Sequence, residues 1–198
     1  MESNQTITFF DTQFQKQVAG GDFALNPFEI AALPFVRGRA LDFGCGLGNL
    51  CIEAARHGAT VSAVDASETA IKRIQAAALA ENLKIDAIVA DVERFQFVGQ
   101  FDTIVSIGLL MFFKRETALK ILGDIQKHVA DGGRAIINVL IEGTTYLSMF
   151  DPGNYCLFGR GELEELFKGW NILLLRQDGF GAPGNTRKEF ATIVAQNN

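Results

Sequence analysis

Three aspartates follow three successive predicted strands, and a glycine-rich loop begins at the first of them. Asp42 opens the segment 42–48, Asp-Phe-Gly-Cys-Gly-Leu-Gly, and Asp65 and Asp91 end the next two strands. The carboxyl ends of parallel strands meet at one edge of a sheet, so we expect the three carboxylates to lie together there. Such a cluster repels a pyrophosphate and suits a ligand that carries positive charge and hydroxyl groups.

The glycine loop allows a ligand to approach the backbone closely, because glycine has no Cβ and the following helix start leaves N–H groups free. By itself this loop is also typical of a tight turn that binds nothing. It departs from the dinucleotide pattern G-x-G-x-x-G, since Gly48 follows Gly46 by two residues and Asn49 takes the place of the third glycine. The loop and the carboxylates together predict a site for S-adenosylmethionine, which carries a sulfonium, an ammonium and a ribose diol.

Each aspartate has a predicted role in holding this cofactor. Asp65 accepts both ribose hydroxyls, Asp42 lies near the amino-acid end, and Asp91 accepts from the adenine amino group while the backbone of Val92 meets a ring nitrogen. Any one of these aspartates alone is equally consistent with a turn or a cap. The full set predicted to bind the cofactor is Asp42, Gly44, Cys45, Gly46, Asp65, Ala66, Asp91, Val92 and Ser106.

The elements that position these residues alternate between short β-branched runs and helical patterns, which predicts an α/β fold. The predicted strands cover residues 39–43, 60–64, 84–90, 101–107, 134–141, 171–176 and 189–195, and the predicted helices cover 50–57, 67–78, 117–129 and 161–167. Ser67 is the predicted cap of the second of these helices, and Asp-Gly-Gly at 131–133 is predicted as a turn. No strong helix separates the last two strands, which indicates an antiparallel hairpin. We therefore expect one domain over residues 1–198, with a Rossmann-like, mostly parallel seven-stranded sheet and helices on both faces.

With these residues placed, the chain resembles the class I S-adenosylmethionine-dependent methyltransferases, on the segment 41–48, on Asp65 and on the pair 91–92. The segments 110–113, 131–133, 161–170 and 190–192 look like the tellurite-resistance methyltransferase family. That narrower resemblance implies methyl transfer to soft chalcogen oxyanions or thiol-like nucleophiles. The family carries a His-Arg pair before its last strand, whereas residues 178–183 here contain no histidine and the next basic residue after them is Arg187. The oxyanion substrate is therefore not carried over from the resemblance.

A soft anionic acceptor needs no general base, because the sulfonium has already activated the methyl group, whereas a neutral hydroxyl or amine needs a proton acceptor. His57 and His128 lie at or near helix ends, far from the predicted site, so neither is a candidate base. This favours a small-molecule acceptor with a thiol- or chalcogen-type nucleophile, and it identifies no catalytic residue. Two other functions stay open: a domain that binds the nucleoside without turnover and, with less support, a nicotinamide-dependent reductase.

Two segments are candidates for covering the site. Residues 1–35 are expected to form a helical segment in which Phe9, Phe10 and Phe14 either pack on the sheet, the simpler interpretation, or fold over the cofactor as a lid. Residues 142–160 form a long connection and are a candidate substrate wall. Leu110–Phe112 and Phe113 are more typical of core than of substrate wall.

Composition limits the binding partners and the cellular location that we expect for the protein. A net charge of −5 gives no reason to expect nucleic acid or an anionic membrane as partner, and the N-terminus lacks the features of a signal peptide. Three cysteines without a C-x-x-C spacing suggest reduced thiols in the cytoplasm and no metal site. Whether the protein is a monomer or a homodimer is left open.

Overall fold

A computed structural model describes the chain from Gln5 to Asn198, with side chains from Phe10 onward. One sheet contains seven strands: β1 (Arg39–Phe43), β2 (Thr60–Asp65), β3 (Ile85–Val89), β4 (Phe101–Ile107), β5 (Val129–Leu140), β6 (Asn171–Ala182) and β7 (Thr186–Gln196). Their spatial order is β3-β2-β1-β4-β5-β7-β6, with β7 antiparallel to both of its neighbours and all other pairs parallel. The mostly parallel sheet with a C-terminal hairpin, predicted from the sequence, is confirmed.

The strand order reverses between the neighbouring strands β1 and β4. The chain continues from β1 to β2 on one side of this pair and from β4 to β5 on the other. At such a switch point the connecting loops diverge and leave a crevice at the carboxyl ends of the strands. The glycine loop starts at the end of β1 and therefore borders this crevice. The topology thus provides a crevice for a ligand beside the residues that were predicted from the sequence to bind one.

Within residues 5–198, six α-helices accompany the sheet: α1 (Gln5–Gly20), α2 (Pro27–Ala32), α3 (Asn49–Arg56), α4 (Glu68–Glu81), α5 (Arg115–His128) and α6 (Glu162–Leu166). Apolar residues of α5 pack on one face of the sheet, and those of α3 and α4 pack on the other. Ser67 caps α4, as predicted, since its Oγ accepts from the Ala70 N–H at 3.1 Å. None of the helices in the described range 5–198 is long and apolar enough to cross a membrane.

The predicted boundaries need correction directly after α5 and in the hairpin. Residues 131–133, predicted as a turn, belong to β5, which starts at Val129 and is irregular where it leaves register with β4. It remains a strand because Asn197 pairs with Gly132 and Gly133 through two backbone hydrogen bonds of 3.0 and 2.9 Å. The hairpin strands extend to Ala182 and from Thr186, because their ladder runs without a break to the turn.

Candidate functional site

A cavity of about 420 Å³ opens at the carboxyl ends of the parallel strands, beside the glycine loop. Its polar and charged lining comes from the strand ends, α1 and the start of α2: Gln13, Gln17, Asn26, Glu29, Asp42, Asn49, Asp65, Ser67, Asp91 and Glu93. Its apolar and glycine lining comprises Phe10, Phe14, Ala24, Gly44, Cys45, Gly46, Leu47, Leu50, Ala66, Val92, Ile107, Gly108, Leu109, Phe112 and Phe113. The cavity wall therefore combines an apolar surface with several carboxylates.

The structure brings together eight of the nine residues selected from the sequence, all of them in the wall of this cavity: Asp42, Gly44, Cys45, Gly46, Asp65, Ala66, Asp91 and Val92. Ser106 is different, because its side chain is fully buried and does not belong to the lining. It lies on the opposite face of β4 from Ile107, which does line the cavity. Ligand contacts by the eight residues remain a prediction, and the position of Ser106 argues against its inclusion.

The glycine loop takes a conformation that a larger residue cannot adopt at Gly48. Its φ of +75° is left-handed, and a Cβ there would lie 2.4 Å from Cγ1 of Ile74. The loop therefore passes directly over α4 before α3 begins. At its start, the N–H groups of Gly44 and Cys45 both donate to the Val64 carbonyl, at 2.8 and 3.1 Å, and this ties the loop to the end of β2.

Asp65 holds the loop from the other side. Its two carboxylate oxygens accept from the backbone N–H groups of Gly46 and Ser67, each at 2.9 Å. Burial raises the pKa of Asp65, and these backbone hydrogen bonds oppose the rise. The Ala66 N–H also acts on this carboxylate and lowers its pKa. Asp65 therefore fixes the loop, and its carboxylate, which lines the cavity, can still accept from a ligand hydroxyl.

Asp42 is the most unusual group in the cavity, because no described residue donates a hydrogen bond to its carboxylate, although its exposed fraction is only 6%. Burial raises its pKa to about 8, and the nearby charges of Glu29 and Asp65 add to the rise. A buried carboxylate without a donor is costly when ionised. A cation entering the cavity would supply the missing partner.

Glu29 is the site residue that the sequence analysis missed. It lies at the third position of α2, where its Oε2 accepts from the Asn26 N–H at 2.8 Å while Asn26 caps the helix in return. Burial raises the pKa of Glu29, although its bond to Asn26 and the charge of Arg73 lower it. The sequence Asn26-x-x-Glu29 carries a capping-box signal, which predicts a helix start and says nothing of a cavity.

The wall near the end of β3 is more open. Asp91 accepts from the Glu93 N–H at 3.0 Å and lies 3.6 Å from Arg94, and its side chain is 57% exposed. Val92, Leu109 and Phe113 supply apolar surface in the same cavity. A flat, mostly apolar group with an amino edge, such as adenine, matches this composition.

Helix α1 contributes to the cavity wall on the side away from the sheet. The ring of Phe14 would lie 3.3 Å from a Cβ at Gly46, and the Phe10 ring contacts that of Phe112 edge-on at 5.0 Å. Asp11 fastens the helix to α4, since it accepts from the Ser67 hydroxyl at 2.5 Å. The side chain of Phe9 lies outside the described residues. Phe10 and Phe14 thus face the cavity, as a lid would require.

The segment 142–160, a candidate substrate wall, contributes no described residue to the cavity lining. It packs behind that wall instead, where Phe150 contacts Phe112 at 5.0 Å and stacks on Tyr155 at 4.6 Å. The stretch 110–113 is divided, because Leu110 and Met111 are core residues whereas Phe112 and Phe113 line the cavity. The sequence of neither segment, 142–160 or 110–113, distinguishes residues that line the cavity from residues that pack in the core.

The other candidate residues lie outside the cavity. His57 and His128 are at helix ends, where each Nδ1 lies within 2.8 Å of the carbonyl four residues earlier, as the sequence led us to expect. Cys156 is buried in the core, and burial raises its pKa to about 11. Arg187 forms an ion pair with Glu189 on the hairpin.

The chain is similar in sequence to a known protein family and to several methyltransferases. The family model described as tellurite resistance protein TehB matches residues 28–188. A probable S-adenosyl-L-methionine-dependent methyltransferase TehB from Haemophilus influenzae is 30% identical over 166 residues, 80% of this chain and 57% of that protein. A ubiquinone biosynthesis O-methyltransferase from Bartonella tribocorum is 30% identical over 147 residues, 74% of this chain and 49% of that protein. The chain thus spans about half the length of these relatives.

Solved structures share the fold. The crystal structure of TehB from Haemophilus influenzae matches with a TM-score of 0.77 and 23% identity, covering 98% of this chain and 67% of that one. The N-methyltransferase NodS from Bradyrhizobium japonicum, solved with S-adenosylhomocysteine, matches with a TM-score of 0.72 and 16% identity, covering 98% and 99%. At these identities the likeness establishes the architecture.

Proposed function

The chain belongs to the tellurite resistance protein TehB family, with a class I S-adenosylmethionine-dependent methyltransferase fold, and on this premise we propose that it transfers a methyl group from S-adenosylmethionine to a small-molecule acceptor. We further propose that the acceptor atom is a soft, thiol- or chalcogen-type nucleophile. Three unpaired cysteines are typical of reducing compartments, which supports a cytoplasmic location for this activity.

The buried carboxylate of Asp42 carries the proposal. It lines the cavity near Glu29 and Asp65 and accepts from no described donor, which suits the ammonium and sulfonium of the cofactor and opposes a pyrophosphate. Asp65, a carboxylate in the cavity wall, is suited to accept from the ribose diol. The donor set therefore fits S-adenosylmethionine better than a nicotinamide dinucleotide.

In the proposed complex each part of the wall has one task. Asp42 pairs with the ammonium, Asp65 accepts from the ribose hydroxyls, and Asp91 with the Val92 backbone holds the adenine edge. The bound cofactor supplies a methyl carbon that its sulfonium has already activated. What remains for the chain is to hold the acceptor in line with that carbon and to exclude water, and such positioning lowers the barrier substantially.

The aromatic rings in the cavity wall support a small, soft acceptor. Phe10, Phe14 and Phe112 provide polarisable apolar surface, and no histidine belongs to the described lining. We propose that α1 acts as a lid over the bound cofactor, since it carries two of these three rings. The segment 142–160 then supports the acceptor wall from behind through Phe150.

A binding and turnover experiment tests the proposal. We expect S-adenosylhomocysteine to raise the melting temperature of the protein, whereas NADH at the same concentration leaves it unchanged. Incubation with S-adenosylmethionine and a panel of thiols, chalcogen oxyanions, hydroxylated aromatics and amines should release S-adenosylhomocysteine with at least one of them. Binding without any release would identify a nucleoside-binding domain, and stabilisation by NADH alone would identify a reductase.

A further inference from the structure

The charges of the cavity wall restrict the acceptor. All the charged side chains among the described lining residues are acidic: Glu29, Asp42, Asp65, Asp91 and Glu93. None of the described lining residues is a lysine, an arginine or a histidine. The cofactor brings one net positive charge, which cannot balance this set. An anionic acceptor would therefore meet like charge within the cavity.

The basic residues of the hairpin do not change this balance. Arg187 is paired with Glu189, and Arg176 donates to both carboxylate oxygens of Asp178, at 2.7 and 2.5 Å. Lys188 lies over the ring of Tyr146 at 4.8 Å. The hairpin, where the resemblance implies a His-Arg pair facing the substrate, thus keeps its arginines in internal ion pairs.

A neutral thiol needs a proton acceptor, and the other carboxylates are committed elsewhere if the proposed function is right. Asp42 pairs with the cofactor ammonium and Asp65 with its ribose, while Asp91 and Glu93 lie at the adenine end. Glu29 is left: its Oε2 accepts from the Asn26 N–H, and its Oε1 accepts from no described residue. The charged groups that act on it are Asp42 on β1 and Arg73 on α4.

Resting on the proposed function, we infer that the acceptor is a neutral thiol that enters protonated, and that Glu29 is its proton acceptor. The S–H proton passes to the Glu29 carboxylate, and the sulfur electron pair forms the new carbon–sulfur bond. The bond from the methyl carbon to the sulfonium breaks, and its electron pair stays on the sulfur of S-adenosylhomocysteine. Because the proton moves to a group that is already charged, the cavity never becomes more negative.

Three probes of the wild-type protein test the charge rule. 2-Mercaptoethanol is neutral, 3-mercaptopropionate is a thiol of similar size with one negative charge, and selenite is an oxyanion. A like charge about 8 Å away at an effective dielectric of about 20 predicts a kcat/KM about 30-fold lower for 3-mercaptopropionate. Added salt should narrow the difference. Equal or faster methylation of 3-mercaptopropionate or selenite would overturn the inference and leave the methyltransferase proposal standing.

Glu29→Gln tests the proton acceptor, because glutamine at this position preserves the capping box. We expect kcat with 2-mercaptoethanol to fall at least about tenfold at pH 7. It should recover as pH rises toward the pKa of the free thiol, while the Kd of S-adenosylhomocysteine changes less than about threefold. A merely structural role would weaken binding and kcat alike at every pH. An unchanged kcat would show that Glu29 is not the base.

The last test adds a positive charge to the cavity wall. Because the substitutions lie on α1, the result depends less on whether α2 still folds. Gln17→Lys places a cation on α1 in the cavity, and Val18→Lys places one on the same helix outside the lining. The first should shift the kcat/KM ratio of the two thiols at least fivefold toward 3-mercaptopropionate, and the second should not. Equal shifts would overturn the charge rule. If the protein binds S-adenosylhomocysteine yet methylates no probe, the proposed function fails together with the inference.

Discussion

Replacing Asp42 by asparagine should stabilise the protein without ligand and weaken cofactor binding. Burial raises the pKa of this carboxyl from 3.8 to about 8, so the unfolded chain releases the proton at lower pH than the folded one. Stability from this group is therefore lost as pH rises from about 4 to about 8. Each pH unit in that window costs about 1.4 kcal/mol, or about 4 kcal/mol at pH 7. Asparagine, which does not titrate, avoids this loss.

Urea denaturation of wild type and Asp42→Asn at pH 5 and pH 7, both without ligand, measures the effect. The advantage of the variant should grow by about 3 kcal/mol between the two pH values. Any destabilisation caused by the asparagine amide itself is the same at both pH values, because the amide does not titrate. Glu29 and Asp65, which help to raise the pKa of Asp42, are present in both proteins and largely cancel.

The same variant should bind S-adenosylhomocysteine more weakly by calorimetry. Loss of a hydrogen bond to a charged group is worth about 1.5–3 kcal/mol, or about 10- to 150-fold in Kd. Wild-type affinity should increase with pH up to about 8 as Asp42 ionises, whereas the affinity of the variant should be much flatter. A pH-independent stability difference between the two proteins would refute the reasoning about the buried charge, and unchanged affinity would refute the ammonium contact.

Gly48→Ala should lower the free energy of unfolding by about 2–5 kcal/mol, since a left-handed φ and overpacking against Ile74 act together; Gly58→Ala, with φ of +94° and open space around it, should lose only about 1–2 kcal/mol in the same urea titration. Asp65→Asn leaves the Gly46 or Ser67 N–H without its carboxylate, so we expect a loss of about 1–3 kcal/mol in stability and at least about tenfold weaker S-adenosylhomocysteine binding by calorimetry; wild-type affinity would contradict the ribose contact. Because burial raises the pKa of Cys45, Cys51 and Cys156, iodoacetamide at pH 8 should label the native protein far more slowly than the urea-unfolded one, and mass spectrometry showing equal rates would contradict their burial.

Much of the fold was determined by the sequence, because hydrophobic periodicity, the positions of glycines and the alternation of strands and helices along the chain are local patterns. Alternating segments and the final pair without a helix predicted the seven-stranded sheet, and Ser67 marked the start of α4. Residues 131–133 were predicted as a turn from an Asp-Gly-Gly signal that is correct locally. They joined β5 because Asn197, more than 60 residues away, supplies hydrogen bonds there.

For the site, the sequence by itself determined which strand ends carry carboxylates, since parallel strands must bring those ends to one edge. Only the tertiary structure decided how each carboxylate behaves. Asp65 gained two backbone donors, Asp42 gained none, and Glu29 joined them from a helix whose sequence signalled only a cap. Burial and hydrogen-bond partners depend on residues distant in the chain, and these set the charge of the cavity and hence which acceptor it admits.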